Sequence, residues 1–195
     1  MSNASHNYST QIVRTLKKSI QAKEKVIEAQ IPVLNEMVEL LLRTFRQGHK
    51  VLLFGNGGSA ADSQHIATEL ASKFARNRNA LPALALTTDT SILTSVANDF
   101  SFEDVFSRQI EALGQKGDVA IGLSTSGNSP NVLKAVRVAK ESGLTTVGFT
   151  GQDGGKLKDL VDICFQAPSQ STPRIQEVHI TVAHALCEIL EQELG

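Results

Sequence analysis

The tightest constraint on this chain is the stretch KVLLFGNGGSAADSQHIATE, residues 50–69. Its apolar run, Val51 to Phe54, is short enough for a buried strand. Gly55, Asn56, Gly57 and Gly58 then turn the chain. Ser59 is expected as the N-cap of a following helix, with Asp62 in its first turn. Strand, glycine turn and helix in that order make a site for an anion, because N–H groups at the helix start point outward unpaired and the helix dipole favours negative charge there. One turn further on, His65 and Glu69 lie four residues apart and share a helix face. An anion cradle beside a His/Glu pair points to chemistry on a phosphorylated molecule.

The rest of the chain is patterned around that unit. Residues from about 8 to 47 read as helix, with Ile12, Leu16, Ile20, Ile27 and Ile31 at roughly helical spacing and Lys17, Lys18, Lys23 and Glu24 between them. Pro32 predicts a kink or a break. A second apolar set runs from Val33 to Phe45, and Gly48 is placed to end it. The first half of this segment carries more apolar stripe than its own domain needs, so it is expected to pack on another subunit.

Beyond Lys50, strands and helices alternate. Strands are expected at Val51–Phe54, Pro82–Leu86, Val119–Leu123, Thr145–Phe149 and Ile163–Gln166. Helices are expected over Ser59 to about Phe74, Ser91–Ala97 with Asn98–Asp99 as its breaker, Phe102–Leu113, Pro130 to near Gly143, and about Pro173–Leu194. The fold class is therefore α/β, a three-layer α/β/α sandwich around a mainly parallel five-stranded sheet. One domain over residues 1–195 is expected, divided into the helical segment and an α/β core from residue 48.

Composition excludes several classes. A formal net charge of −1 argues against a nucleic-acid-binding surface. Cys164 and Cys187 form neither a CxxC nor a zinc-ribbon spacing, so two buried thiols in a reducing compartment are expected. The N-terminus, MSNASHNYSTQ, has no basic or apolar leader region, and no apolar run is long enough to span a membrane. A cytoplasmic location follows as the expectation.

Three further stretches bear on chemistry. The turn from Gly55 to Ala60 fits the loosened dinucleotide pattern G-x-G-x-x-A, but the acidic residue that pattern needs some 20 residues on is missing, Asp89 lying well beyond. Nicotinamide binding is thus disfavoured. The loop Ser124 to Ser129 follows a buried strand and precedes a helix, so it lies at the carboxyl edge of the sheet. Its hydroxyls at Ser124, Thr125, Ser126 and Ser129, with Gly127 allowing close backbone approach, suit a phosphate monoester better than a plain capping turn. The last helix, otherwise apolar, carries Arg174, Gln176, Glu177, His179 and His184, and polar groups embedded in such a helix need partners.

GNGGSAADSQH, TSVANDF, STSGNSPNV and RIQEVH, in that order, resemble the phosphoheptose isomerases, enzymes of the sugar-isomerase (SIS) domain family. The resemblance runs from the first helix to the last. It implies a homotetramer that converts sedoheptulose 7-phosphate to D-glycero-D-manno-heptose 7-phosphate through an enediol, the first step of ADP-heptose formation for the lipopolysaccharide core. It implies one zinc ion per subunit, on His65, Glu69, Gln176 and His184. Substrate contacts carry over to Asn56, Gly57, Gly58, Glu69, Asn98, Asp99, Ser124, Thr125, Ser126, Ser129 and Gln176, and the base and acid to Glu69 and His184. Every one of these positions holds the matching residue type. One departure is Ser171-Thr172-Pro173, where some relatives carry an acidic residue.

The implied zinc set raises a geometric question. Gln176 and His184 are eight residues apart, a rise of about 12 Å in a regular helix. Both side chains must lean inward, or different subunits must contribute. The chemistry is coherent: a carboxylate takes the carbon proton, an imidazole serves the oxygens, a metal polarises the carbonyl, and the phosphate grip orients the far end. Two rivals come from other classes. A non-catalytic relative binds a replication initiator as a tetramer, but such a protein has lost part of the metal set that is intact here. A sugar-phosphate-sensing regulator would carry a helix-turn-helix, and this sequence shows none.

Overall fold

The computed structural model describes residues 8–195, so most of the polar N-terminal stretch read above for a leader lies outside the described residues. Helix α1 spans Tyr8–Ala29 and α2 spans Ile31–Arg46. The break at Gln30 places Pro32 in the first turn of α2, where its missing N–H costs nothing. Gly48 follows α2 in the left-handed region, as its position predicts.

The α/β unit then runs β1 (Val51–Gly55), α3 (Gly58–Ala71), β2 (Ala83–Ala85), α4 (Thr90–Asp99), a 3-10 turn (Phe102–Asp104), α5 (Ser107–Leu113), β3 (Val119–Leu123), α6 (Pro130–Glu141), β4 (Thr145–Thr150), β5 (Ile163–Gln166) and α7 (Thr172–Leu194). All five strands are parallel, in the order β2-β1-β3-β4-β5. Their period-two alternation divides the core. Val51, Leu53, Val119, Ile121, Val147 and Phe149 face a layer made of α1, α2, α3 and α7. Leu52, Phe54 and Ala120 face α4, α5 and α6. This is the three-layer sandwich expected.

Several local expectations are corrected. Ser59 does not cap α3: Gly57, at φ 57°, takes the cap position, and Ser59 is buried one residue inside the helix, its carbonyl accepting from Ser63 Oγ at 2.8 Å. Helix α3 ends at Ala71 instead of near Phe74. Asn98 and Asp99 do not break α4 but form its last turn, and Asp89 caps its start by accepting from the Ile92 N–H at 2.9 Å. The expected helix from Phe102 divides because Ser101 caps a separate 3-10 turn. Cys187 is buried as expected, with burial pushing its thiol up to about 12, whereas Cys164 is only half-buried.

One surface stays apolar. Along α1, Ile12, Leu16, Ile20 and Ile27 are 55–69% exposed, and only Ala22 and Val26 of that helix are buried. Among the described residues, no helix is long and apolar enough to cross a membrane.

Candidate active site

The strand order reverses direction at β1 and β3, and ligands in open parallel sheets bind at the carboxyl ends on either side of such a point. Here Gly55 pairs with Leu123 in register, so the glycine turn and the hydroxyl loop leave the sheet side by side. The Asn56 and Asn131 amides exchange two hydrogen bonds of 2.9 Å, tying the turn after β1 to the first turn of α6. Sequence reasoning selected Asn56 and missed Asn131, whose signal was its place just inside the helix that follows the hydroxyl loop.

The hydroxyl loop is built inward. Ser129 holds the N-cap position of α6 yet makes no side-chain cap; its Oγ lies 2.9 Å from Ser124 Oγ. Ser124 Oγ in turn sits 3.5 Å from Ser126 Oγ. Three serine hydroxyls thus gather at the positive end of a 12-residue helix instead of serving its backbone. Gly127, at φ 64°, packs so closely on the loop after β4 that a Cβ there would overlap the Gly154 carbonyl. Beside the loop, a cavity of about 450 Å³ is lined by Thr125, Ser126, Gly151, Gln152, Ser169 and Thr172. It gives a phosphate and part of a sugar room to enter.

Helices α3 and α7 run alongside one another, and two rungs join them. At the first, the Gln176 amide lies over Gly58, where any Cβ would overlap it. At the second, His184 Nε2 lies 3.2 Å from His65 Nε2, and His65 Nε2 lies 3.1 Å from Glu69 Oε1. The rungs are seven residues apart on α3 and eight on α7, or about 10 and 12 Å along the helices. The structure therefore brings His65, Glu69 and His184 into one cluster, with ligand atoms within 4.8 Å of one another, and sets Gln176 beside the glycine turn. Two imidazoles and a carboxylate are a donor set that divalent transition metals take. The convergence itself favours a cation: a single proton on His65 Nε2 has two acceptors facing it, whereas an ion would engage all three groups. Phe74 closes the cluster from the side, its ring 5.6 Å from that of His184.

Other residues singled out above bond neither to the hydroxyl loop nor to the His65/Glu69/His184 cluster. Asn98 and Asp99 are exposed, and Asn98 Nδ2 donates to Asp99 Oδ1 at 2.7 Å, with no bond to either loop. Arg174 donates to the Thr15 carbonyl and pairs with Glu177, joining α7 to α1. His179 is fully buried between Phe149 and Phe165, with Nε2 2.9 Å from the Thr150 carbonyl. Burial, opposed by that carbonyl, pushes its pKa down to about 4, so it is a neutral core residue. Asp62, on the same face of α3 as His65, was not selected as a site residue. One of its carboxylate oxygens is buried without a partner, and burial raises its pKa against the pull of His65.

Fold and site together define a parallel α/β protein with a serine-rich loop at the switch point of its sheet and a His/Glu/His cluster on the adjoining helix pair. The SIS domain model matches residues 15–151. A phosphoheptose isomerase of a Roseiflexus species is 54% identical over 194 residues, covering 100% of this chain and 98% of that protein. The structure of the phosphoheptose isomerase GmhA from Neisseria gonorrhoeae superposes with a TM-score of 0.90 at 40% identity, covering 95% of this chain and all of that one. That of a phosphoheptose isomerase from Francisella tularensis gives 0.92 at 34%, covering 95% and 99%. The chain belongs to the phosphoheptose isomerase family of SIS-domain enzymes.

Proposed function

We propose that this protein is the aldose–ketose isomerase that converts sedoheptulose 7-phosphate to D-glycero-D-manno-heptose 7-phosphate, and so opens ADP-heptose synthesis for the lipopolysaccharide core. The observation that carries the proposal is the pairing of three gathered serine hydroxyls with the His65/Glu69/His184 cluster, which α3 and α7 share beside them. A phosphate at the grip fixes one end of the sugar, and the cluster lies two turns of α3 away, where the other end would reach.

In this reading Ser124, Thr125, Ser126 and Ser129 hold the phosphate, and Asn56, Gly57, Gly58 and Gln176 line the sugar, with Asn98 and Asp99 completing the contacts. Glu69 takes the proton from the carbon beside the carbonyl and returns it to the neighbouring carbon. Its Oε1 is engaged by His65, which leaves Oε2 for the proton. His184 moves the proton between the two substrate oxygens. His65, Glu69 and His184 would hold zinc, and Gln176, which rests here on Gly58, would become the fourth ligand by leaning toward them or from a neighbouring subunit. The 3.1 and 3.2 Å contacts of His65 with Glu69 and His184, with all three ligand atoms within 4.8 Å, would let one divalent ion engage the three groups. The chemistry such an ion would supply there is polarisation of the substrate carbonyl.

The exposed apolar face of α1 supports assembly as a homotetramer. The absence of a spanning helix among the described residues and a net charge of −1 fit a cytoplasmic enzyme that needs neither membrane nor nucleic acid. The test is metal analysis of purified protein together with an isomerase assay on sedoheptulose 7-phosphate. One zinc per chain and product formation that a chelator abolishes are expected; metal-free protein with full activity would remove zinc from the account.

A further inference from the structure

The segment between α3 and β2 is held by an ionic arrangement that the reaction above does not use. Glu191, on α7 and seven residues beyond His184, is 4% exposed. Its carboxylate accepts three consecutive backbone N–H groups, those of Phe74, Ala75 and Arg76, each at 2.9 Å. Burial alone would raise its pKa, but these donors and the nearby Arg78 outweigh it and keep the group ionised below the usual carboxylate range. Arg78, its side chain 1% exposed, lies between Glu191 and the end of α3, with Nε 3.6 Å from Glu191 Oε1. Its guanidinium donates to the Leu70 carbonyl at 2.8 Å and to the Glu69 carbonyl at 2.7 Å. It thereby caps the last turn of α3, the turn that carries Glu69.

Both ends of this arrangement reach the proposed active site. Through Arg78 it fixes the backbone of Glu69. Through Glu191 it fixes Phe74, whose ring lies 5.6 Å from that of His184 at 50° between planes, on a ring that also faces His65 at 4.9 Å. Among the described residues His184 has one hydrogen-bond contact, its Nε2 with His65, so its plane rests on that contact and on ring packing against His65 on one side and Phe74 on the other. A buried carboxylate that gathers three N–H groups and sits on the same helix as His184 is an expensive way to hold an exposed loop. It is a direct way to hold Phe74 against His184.

We infer that Glu191 is a positioning residue for the isomerisation: it pins residues 74–76 so that Phe74 fixes the plane of His184 while Arg78 fixes the end of α3 that bears Glu69. The inference rests on the reading of His65, Glu69 and His184 as the reacting cluster, and it assigns Glu191 and Phe74 no contact with substrate. A brace acting on His184 alters turnover and metal retention, and it leaves the phosphate grip on the other side of the glycine turn untouched.

The test uses the full-length protein in four forms: parent, Glu191→Gln, Phe74→Leu and Phe74→Tyr. Far-ultraviolet dichroism and thermal melting establish folding, zinc affinity is read by competition with a chromophoric chelator, and kcat and KM are measured on sedoheptulose 7-phosphate. Glu191→Gln and Phe74→Leu are expected to fold, to lower kcat about tenfold with KM within twofold, and to weaken zinc binding about tenfold; Phe74→Tyr restores the ring and both parental values. Phe74→Leu at parental kcat, or Phe74→Tyr as impaired as Phe74→Leu, overturns the inference. If Glu191→Gln fails to fold, the Phe74 pair decides alone. If the parent takes up no zinc, the metal reading of the cluster falls, and the kcat pattern of the Phe74 pair still decides whether the brace sets His184.

Discussion

Gly58→Ala separates what the helix pair does for stability from what it does for catalysis. Gly58 opens α3 without a left-handed φ, so an alanine meets no backbone penalty there. The new Cβ overlaps only the amide end of Gln176, a flexible side chain that can swing away. Pushing Gln176 off its rotamer costs about 0.5–1.5 kcal/mol. Replacing glycine by alanine in a helix returns up to about 1 kcal/mol. Net stability should move by no more than about 1 kcal/mol, which for a chain of this size is a melting shift of about 2–4 °C. Activity should respond far more. If the Gln176 amide touches sugar or metal, its displacement by an ångström or more lowers kcat/KM on sedoheptulose 7-phosphate by roughly 10- to 100-fold. The double variant Gly58→Ala/Gln176→Ala sharpens the test, since Gln176→Ala alone should already lose most of the activity and Gly58→Ala should add little to it. Additive losses, or Gly58→Ala at parental kcat/KM, would refute the placement of Gln176 at the reacting end.

Three more outcomes are expected. Ser124→Ala/Ser126→Ala should raise KM with little change in kcat, each hydrogen bond lost to a charged phosphate costing roughly 1.5–3 kcal/mol; an unchanged KM would move the grip elsewhere. Leu16→Glu/Ile20→Glu on the exposed face of α1 should shift the light-scattering mass from tetramer to smaller species, and a parent that is already monomeric would contradict the assembly. His179 is held neutral with a folded pKa of about 4, below its unfolded value, so the unfolded chain binds more protons in between and stability falls as pH drops from about 6.5 towards 4, by up to about 1.4 kcal/mol per pH unit. Urea midpoints for the parent and His179→Phe should diverge across that window, and parallel pH curves would show that His179 does not carry the effect.

How far the sequence speaks can be judged from particular elements. Val51–Phe54 is apolar at every position because both sheet faces are covered, and such runs announce a parallel strand without ambiguity about its layer. Pro32 marks the α1/α2 break because a proline N–H is absent whatever the tertiary context. Strand β2 is assigned over Ala83–Ala85 alone, yet the Pro82 carbonyl and the Leu86 N–H also bond to β1, at 2.9 and 2.8 Å, so the apolar run marks the full length of the pairing at the edge of the sheet. Ser59 is misread as a cap because cap preference favours serine, while the chain needs the φ of Gly57 to turn out of the sheet. The hydroxyl loop and the His65/Glu69 pair are local in sequence and legible there. That His184 joins the pair, that Gln176 rests on Gly58 and that His179 points into the core all depend on how α7 lies on α3 and the sheet, a relation between distant segments. Asn131, Arg78 and Glu191 went unseen for the same reason: Asn131 is defined by a partner 75 residues away, and Arg78 and Glu191 by each other and by segments more than 100 residues from Glu191.

The central claim is that the His65/Glu69/His184 cluster performs proton transfer on a sugar gripped by the Ser124–Ser129 loop. Its most direct test is to incubate sedoheptulose 7-phosphate with the protein in deuterated water and follow the carbon-bound protons by NMR, for the parent and for Glu69→Gln. The account predicts that the parent forms the aldose phosphate with deuterium on the carbon beside the carbonyl, and that Glu69→Gln folds and binds the phosphosugar but exchanges no proton. Exchange by Glu69→Gln at the parental rate would contradict it, leaving Glu69 a ligand only and assigning the base to another group.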